Sequence, residues 1–331
     1  MSVPTSCRNQ EGVALVTVLM IVAAMSAVAI MLSSAVLAST NRAKALDASA
    51  QADWFAKGAG AFAQVTVDQL VSESGAKLFA GMPMLAQPMA FEIEGGVLSL
   101  TGREASNCFN INSLRQSPSP GREDTGEEPA ARKDFIALLE AADIDGVDAD
   151  VATATLVDWM DADLSPELGG AEDSYYSSLT PPYRTSGQPI ENLSELYAIR
   201  YFDPSLVEQL RPIVCAYPDE DQQAFNINTL GEAQAPLLSL AMSGALTSEA
   251  ARDVIFQRPQ GGWESVEDMM ATPALAQISP ELRRTDMLSV TSSHIGVRTI
   301  IEYRGLRRIY DQLLVVDETG AVKPVRRERK G

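Results

Sequence analysis

The sequence predicts an α+β fold: a long N-terminal helix, a small antiparallel sheet and a large all-helical domain inserted between strands of that sheet. Three observations predict it. Residues 13–40 contain no charged side chain, and apolar residues at helical spacing continue to about Val71. Two β-rich stretches lie far apart, at 89–101 and 288–318. The residues between them read as short helices and turns.

The helix comes first. A polar leader ends at Glu11-Gly12, and the run VALVTVLMIVAAMSAVAIMLSSAVLAST follows, closed by Asn41-Arg42. About 20 apolar residues cross a bilayer as a helix. A secretory signal has a shorter apolar core, roughly 7–15 residues, with its cleavage site after that core. Here the candidate cleavage point, between Gly12 and Val13, precedes the run. Cutting there leaves the apolar helix as the new N-terminus, the logic of a subunit stored in a membrane and drawn into a filament. The alternative is a single-pass anchor with an uncleaved leader. Past the apolar run, Phe55, Ala59, Phe62, Thr66 and Leu70 recur at helical spacing, with Trp54, Ala61 and Val65 beside them. Gly58 and Gly60 each cost about 1 kcal/mol in a helix interior, so they indicate close packing or a local weakness. A continuous helix over 13–71 would be roughly 90 Å long.

Pro83 and Pro88 break the helical pattern. MAFEIEGGVLSLT at 89–101 then places apolar residues on both sides of Gly95-Gly96, a hairpin signal. The late stretch begins at Leu288-Ser289-Val290 and continues through RTIIEYRGLRRIYDQLLVVDE from Arg298. These strands are expected to pair with the early hairpin in one sheet on the long helix.

In the insertion, SPSPGREDTGEE at 117–128 reads as a mobile loop. Helical patterns follow at 131–142, 151–160, 192–199 and 204–212, with Ser194 and Glu195 as capping chemistry. CFNINSL at 108–114 is echoed by FNINTL at 225–230, which suggests two helical modules in tandem, the second running through 248–256 and 265–270.

The net charge is −18, which argues against a phosphate backbone as partner. The distribution is uneven. Residues 123–173 hold 16 Asp/Glu against Arg132 and Lys133, whereas 298–330 hold nine Lys/Arg against five acids. FNINTL before helices also resembles the helix-hairpin-helix modules of DNA-uptake proteins. Their Gly-rich hairpin is reduced here to Gly244 in LLSLAMSGALT, and the acidic chain favours a protein-binding module.

Arg8, Gly12 and the apolar run resemble the class III leader of type IV pilins and type II secretion pseudopilins. Most of that superfamily has Glu as the fifth mature residue; cleavage after Gly12 puts Thr17 there. The K-type minor pseudopilin family (general secretion pathway protein K) is similar in lacking that Glu. FNIN twice, DWMDAD at 158–163, GGAEDSYY at 169–176, PPYR at 181–184 and GGWESVEDMM at 261–270 resemble the same family in order along the chain.

The resemblance implies a pilin-like fold with a leader at 1–12, the transmembrane half of a spine helix at 13–40, and the rest of the spine with the first strands at 41–109. The inserted helical domain would fill 110–286 and the last strands 287–331. It implies cleavage by prepilin peptidase, methylation of the new N-terminus, and an inner-membrane anchor with the bulk of the chain in the periplasm. The implied partners are the I-type and J-type minor pseudopilins, other pseudopilins and the inner-membrane assembly platform, with no nucleic acid. The implied role is a pseudopilus tip that starts or caps assembly for export of folded proteins. A minor pilin of a type IV pilus and a cargo-binding tip module are the alternatives.

Cys7 lies in the leader, which leaves Cys108 and Cys215. In an oxidising compartment a disulfide between them is expected; two buried thiols are the alternative. Asp158, Asp161, Asp163, Glu167, Glu172 and Asp173 fall within sixteen residues. Hard oxygen ligands in a flexible loop suit Ca²⁺, although the spacing is not that of an EF-hand. A solvated acidic face is the bland reading, and the family resemblance implies calcium. DIDGVDAD at 143–150 reads as a helix-end loop with capping Asp residues. Catalysis finds no support: His294 is the one histidine, its context TSSHIGVR reads as a partly exposed strand or turn, and no HExxH, GxSxG or CxxC is present.

Overall fold

The computed structural model describes residues 11–115, 129–144, 146–218, 221–317 and 319–330. Helix α1 (Glu11–Ser74) is unbroken and, at 1.5 Å per residue, about 96 Å long. Residues 13–47 are exposed along their whole circumference. The buried face starts at Ala48 and continues through Ala52, Ala56, Ala59, Ala63, Val67 and Val71. Trp54, Phe62 and Val65 remain exposed, so the packed stripe is the alanine row, beside the bulky residues that the periodicity singled out. The sheet supplies the bulk instead, through Leu98, Leu100, Ile301, Tyr310 and Leu314. Small side chains on the helix let the sheet approach: a Cβ on Gly60 would lie 2.6 Å from Gln312 Oε1.

A short helix, α2 (Pro83–Ala86), follows the break. The strands, in chain order, are β1 (Met89–Ile93), β2 (Gly96–Glu104), β3 (Phe109–Asn110), β4 (Val214–Cys215), β5 (Phe225–Asn226), β6 (Leu288–Ser289), β7 (His294–Tyr303), β8 (Leu306–Val316) and β9 (Val322–Arg329). Five form one antiparallel sheet in the order β1-β2-β7-β8-β9. The early hairpin and the late strands therefore meet as expected. The insertion leaves β2 after Glu104 and returns at His294, so it spans 105–293 rather than 110–286. Leu288-Ser289 belongs to it, paired in parallel with Phe225-Asn226 rather than in the main sheet.

The insertion contains α3 (Ala130–Ala142), α4 (Ala149–Met160), α5 (Asp173–Tyr176), α6 (Pro204–Leu210), α7 (Ala235–Ala241), α8 (Ser248–Phe256), α9 (Val266–Met270) and α10 (Pro273–Ala276). Helix α7 takes 237–241 of the stretch read as a degenerate hairpin, and Gly244, with a left-handed φ of +75°, lies in the turn from α7 to α8. The segment read as helix at 192–199 is a 3₁₀ turn, Leu193–Ala198. Its cap is Asn192, with Glu195 closing a capping box, and not Ser194. Asp143 ends α3 and Asp148 caps α4, as the Asp-rich DIDGVDAD segment predicts. The expected loop at 117–128 lies outside the described residues.

The repeated FNIN is a structural duplication. In the first copy β3 pairs in parallel with β4, and in the second β5 pairs in parallel with β6. The last Asn of each copy clamps a distant segment. Asn112 Oδ1 accepts from Ile190 N (2.8 Å), and its Nδ2 donates to the carbonyls of Ile190 (2.9 Å) and Tyr217 (2.7 Å). Asn228 Oδ1 accepts from Trp263 N (2.7 Å) and its Nδ2 donates to Trp263 O (2.9 Å). Each clamped residue stands two positions before a helix cap, Asn192 or Ser265.

The Glu104 carboxylate joins sheet and insertion. It accepts from the amides of Ala105 and Ser106, from Asn226 Nδ2, and from the hydroxyls of Thr229 and Ser292. Beside it Cys108 and Cys215 form a disulfide, packed with Tyr217 and Leu313. His294 is 2 % exposed, stacked on Tyr217, and not the partly exposed residue its context suggested.

Candidate cation site and family

Helix α4 delivers the site. Asp158 lies in its last turn and is fully buried. Asp161 follows the helix end with extended backbone. The chain then loops back, and the Asp158 carboxylate accepts from Glu167 N at 3.2 and 3.3 Å. Two glycines permit that return. Gly169 has a left-handed φ of +85°, and a Cβ on Gly170 would lie 2.0 Å from Asp158 Oδ2. Glu172, at the start of α5, is 2 % exposed, and neither of its carboxylate oxygens has a hydrogen-bond partner. Carboxylate oxygens of Asp158, Asp161 and Glu172 lie within 4.8 Å of one another.

The electrostatics follow from that crowding. Burial and then the neighbouring Asp163 and Asp158 push Asp161 up to about 6. Burial and then Asp161 and Asp158 push Glu172 up to about 7. Burial also raises Asp158, against the opposing pull of the Glu167 amide. Three converging carboxylates, one with two orphaned oxygens, are costly without a compensating charge. A hard cation that takes oxygen ligands would supply it.

The six acids singled out in sequence thus divide. Asp158, Asp161 and Glu172 converge. Asp163 stays exposed and accepts from Ser165 N (2.7 Å), acting on the site through its charge. Glu167 is held by Arg132 at 2.6 Å. Asp173 accepts from Thr185 N and Oγ1, both at 2.9 Å, and those bonds hold its carboxyl below the usual range. The role of Arg132 carries no sequence signal, because it lies 35 residues before Glu167. An aromatic cluster walls the site: Trp159 meets Tyr176 edge-on at 5.2 Å.

Helix α1 is the one described helix long and apolar enough to cross a membrane, with a mean hydropathy of 2.7 in its most apolar window.

Family comparisons agree with this architecture. Models described as "Type II secretion system (T2SS), protein K" match residues 107–219 and 225–291, the two FNIN modules. The type II secretion system protein K of Aeromonas hydrophila is 32 % identical over 330 residues, covering 98 % of this chain and 99 % of its own. That of Klebsiella pneumoniae is 34 % identical over 273 residues, covering 81 % of each chain. A chain in the crystal structure of the GspK-GspI-GspJ complex from the enterotoxigenic Escherichia coli Type 2 Secretion System superposes with a TM-score of 0.74 at 27 % identity. The match covers 88 % of this chain and 99 % of that one. On leader, spine, sheet, duplicated insertion and near full-length similarity, the chain belongs to the protein K family of type II secretion, the K-type minor pseudopilins.

Proposed function

We propose that this subunit sits at the tip of the pseudopilus, where it starts or caps assembly together with I-type and J-type minor pseudopilins. The position of the insertion carries the reading. Tyr303 and its partner Gly96 lie at the end of the sheet nearest the apolar half of α1, where Tyr303 packs on Phe55. Glu104 and Ile295, where the insertion leaves and returns, lie at the opposite end. The two modules therefore crown the spine, where a further subunit would have to stack.

Thr17 supports the same placement. Its hydroxyl donates to Ala14 O at 2.9 Å within its own helix, and it offers no carboxylate to a neighbour's terminal amine. Leu46, Trp54 and Val65, each 66 % exposed, with Gly58 open between them, leave an apolar face on α1 for a neighbouring spine helix. The leader is cut between Gly12 and Val13 by prepilin peptidase, and the helix anchors the subunit in the inner membrane with the rest in the periplasm. The role is mechanical and not enzymatic. Calcium occupies the Asp158–Asp161–Glu172 site, since three converging carboxylates, two of their oxygens orphaned, suit a hard oxygen-binding ion.

The test mixes the protein, in calcium, with I-type and J-type pseudopilins from the same source and measures mass by size exclusion with light scattering. A discrete complex of all three is expected. Three folded proteins that never form one would shift the assignment to a pilus or cargo-binding subunit.

A further inference from the structure

The molecule is electrically polar along its length. Residues 105–293 hold 31 Asp/Glu against 11 Lys/Arg, or −20, whereas the rest of the chain is +2. Seven of the fourteen cations of the spine-and-sheet part past residue 12 lie toward the end facing the apolar helix. Arg42 and Lys44 are exposed on α1 just past residue 40. The β7–β8 turn brings Arg304, Arg307 and Arg308 down beside them, and Arg304 reaches Asp47 at 3.7 Å. Exposed Arg329 and Lys330, at the end of β9 along β8, extend the patch upward.

The height of this turn is set by the helix. Asp47 is seven residues past Thr40, so the turn rides about 10 Å above the end of the apolar run. The polar layer of one leaflet is roughly 5–8 Å deep, and charges act over about 8 Å at physiological salt. With residue 40 at the edge of the hydrocarbon core, the turn therefore stands a few ångströms beyond the headgroup layer, within the screening distance of its charges. Facing acids are Asp47, Glu94 and Glu302, and Glu328 pairs Lys330 at 2.5 Å. Asp47–Arg304 and Glu302–Arg307 are exposed pairs at 3.7 and 3.6 Å, of the kind that contribute little and exchange readily.

We propose that this basic collar docks on anionic phospholipid headgroups while the subunit is stored in the membrane, holding the acidic insertion upright and away from the surface. The proposal rests on the reading of α1 as a membrane span. Clustered Lys/Arg beside a span bind anionic lipid in a salt-sensitive way, so extraction into a filament would release the collar.

Amide hydrogen exchange on the full chain in nanodiscs tests it. Discs of phosphatidylethanolamine alone are compared with discs that also contain phosphatidylglycerol. Severalfold slower exchange across 303–308 is expected only with phosphatidylglycerol, reversed by high salt and by a combined Arg304→Glu, Arg307→Glu variant. Exchange in the insertion serves as the fold control and should not change. Equal exchange in both discs, with the chain inserted, overturns the collar alone. A chain that enters neither disc overturns the membrane reading beneath it. Protection that appears only on adding another pseudopilin makes the patch a protein interface and overturns lipid docking.

Discussion

The two modules of the insertion share a plan and differ in what was added to it. Both begin with FNIN, both pair a two-residue strand in parallel, and both use the last Asn to clamp a segment that leads into a capped helix. Asn112 and Ile190 are 78 residues apart, whereas Asn228 and Trp263 are 35 apart, so the first module has 43 more between clamp and target. That extra length holds the acidic loop after α4. The disulfide is also confined to the first module: the positions matching Cys108 and Cys215 are Ala224 and Ser289. The common plan is thus scaffold, and the candidate cation site and the covalent lock are elaborations of one copy.

The largest test of that contrast is reduction. The disulfide closes a loop of 107 residues, and removing it should cost about 4–5 kcal/mol in the chain-entropy account. The urea midpoint of a Cys108→Ser, Cys215→Ser variant should fall accordingly, with the first module opening before the second in hydrogen exchange. Simultaneous opening of both would contradict a lock local to one copy.

The clamps come next. Asn112→Ala leaves the buried N–H and C=O of Ile190 unpaired and takes one donor from the Tyr217 carbonyl, and Asn228→Ala leaves two groups unpaired on Trp263. At 1–3 kcal/mol per orphaned group, losses of about 3 and about 2 kcal/mol are expected by chemical denaturation. The reverse order would break the equivalence of the two clamps.

A pH series separates the modules further. Asp161 and Glu172 are raised in the fold, to about 6 and about 7. Without cation the folded state then binds more protons than the unfolded chain, so stability falls as pH rises from near 4 through 7. His294 acts in the opposite direction. Burial lowers it to about 4, so its contribution is present above its unfolded value near 6.5 and is lost as pH drops through 4. In chelator, Glu172→Gln should flatten the loss between about pH 4.5 and 7, and His294→Gln should flatten the loss as pH falls from 6.5 to 4. Thermal melts of each variant decide this, and slopes identical to the parent would refute both assignments.

The smallest effect is expected at Asp173. Asp173→Asn weakens its bonds to Thr185 and its long contact with Arg184. It should move the thermal midpoint little, because exposed pairs contribute little, and leave cation stoichiometry unchanged. A lost equivalent of cation would return Asp173 to the ligand set.

How much of this was legible in the sequence depended on how locally each feature is encoded. The uncharged run at 13–40 and the turn signals at Gly95-Gly96 are local, and α1 and β1–β2 follow them closely. The FNIN echo was visible, but the work of Asn112 and Asn228 was not, because their targets lie far along the chain. Leu288-Ser289 reads as part of the main sheet because a two-residue parallel pairing has no period to read. Among the acids, spacing alone could not tell Asp161 from Asp173. Their fates are decided by Arg132, Thr185 and the glycine pair at 169–170, which leave three carboxylates to solvent or a partner and force the other three together.

The most direct measurement is calcium titration calorimetry on the parent, Glu172→Gln and Asp173→Asn proteins. Saturable uptake by the parent and by Asp173→Asn, with uptake at this site abolished in Glu172→Gln, is the predicted result. No saturable uptake, or uptake untouched by Glu172→Gln, would contradict a cation site built into the first module.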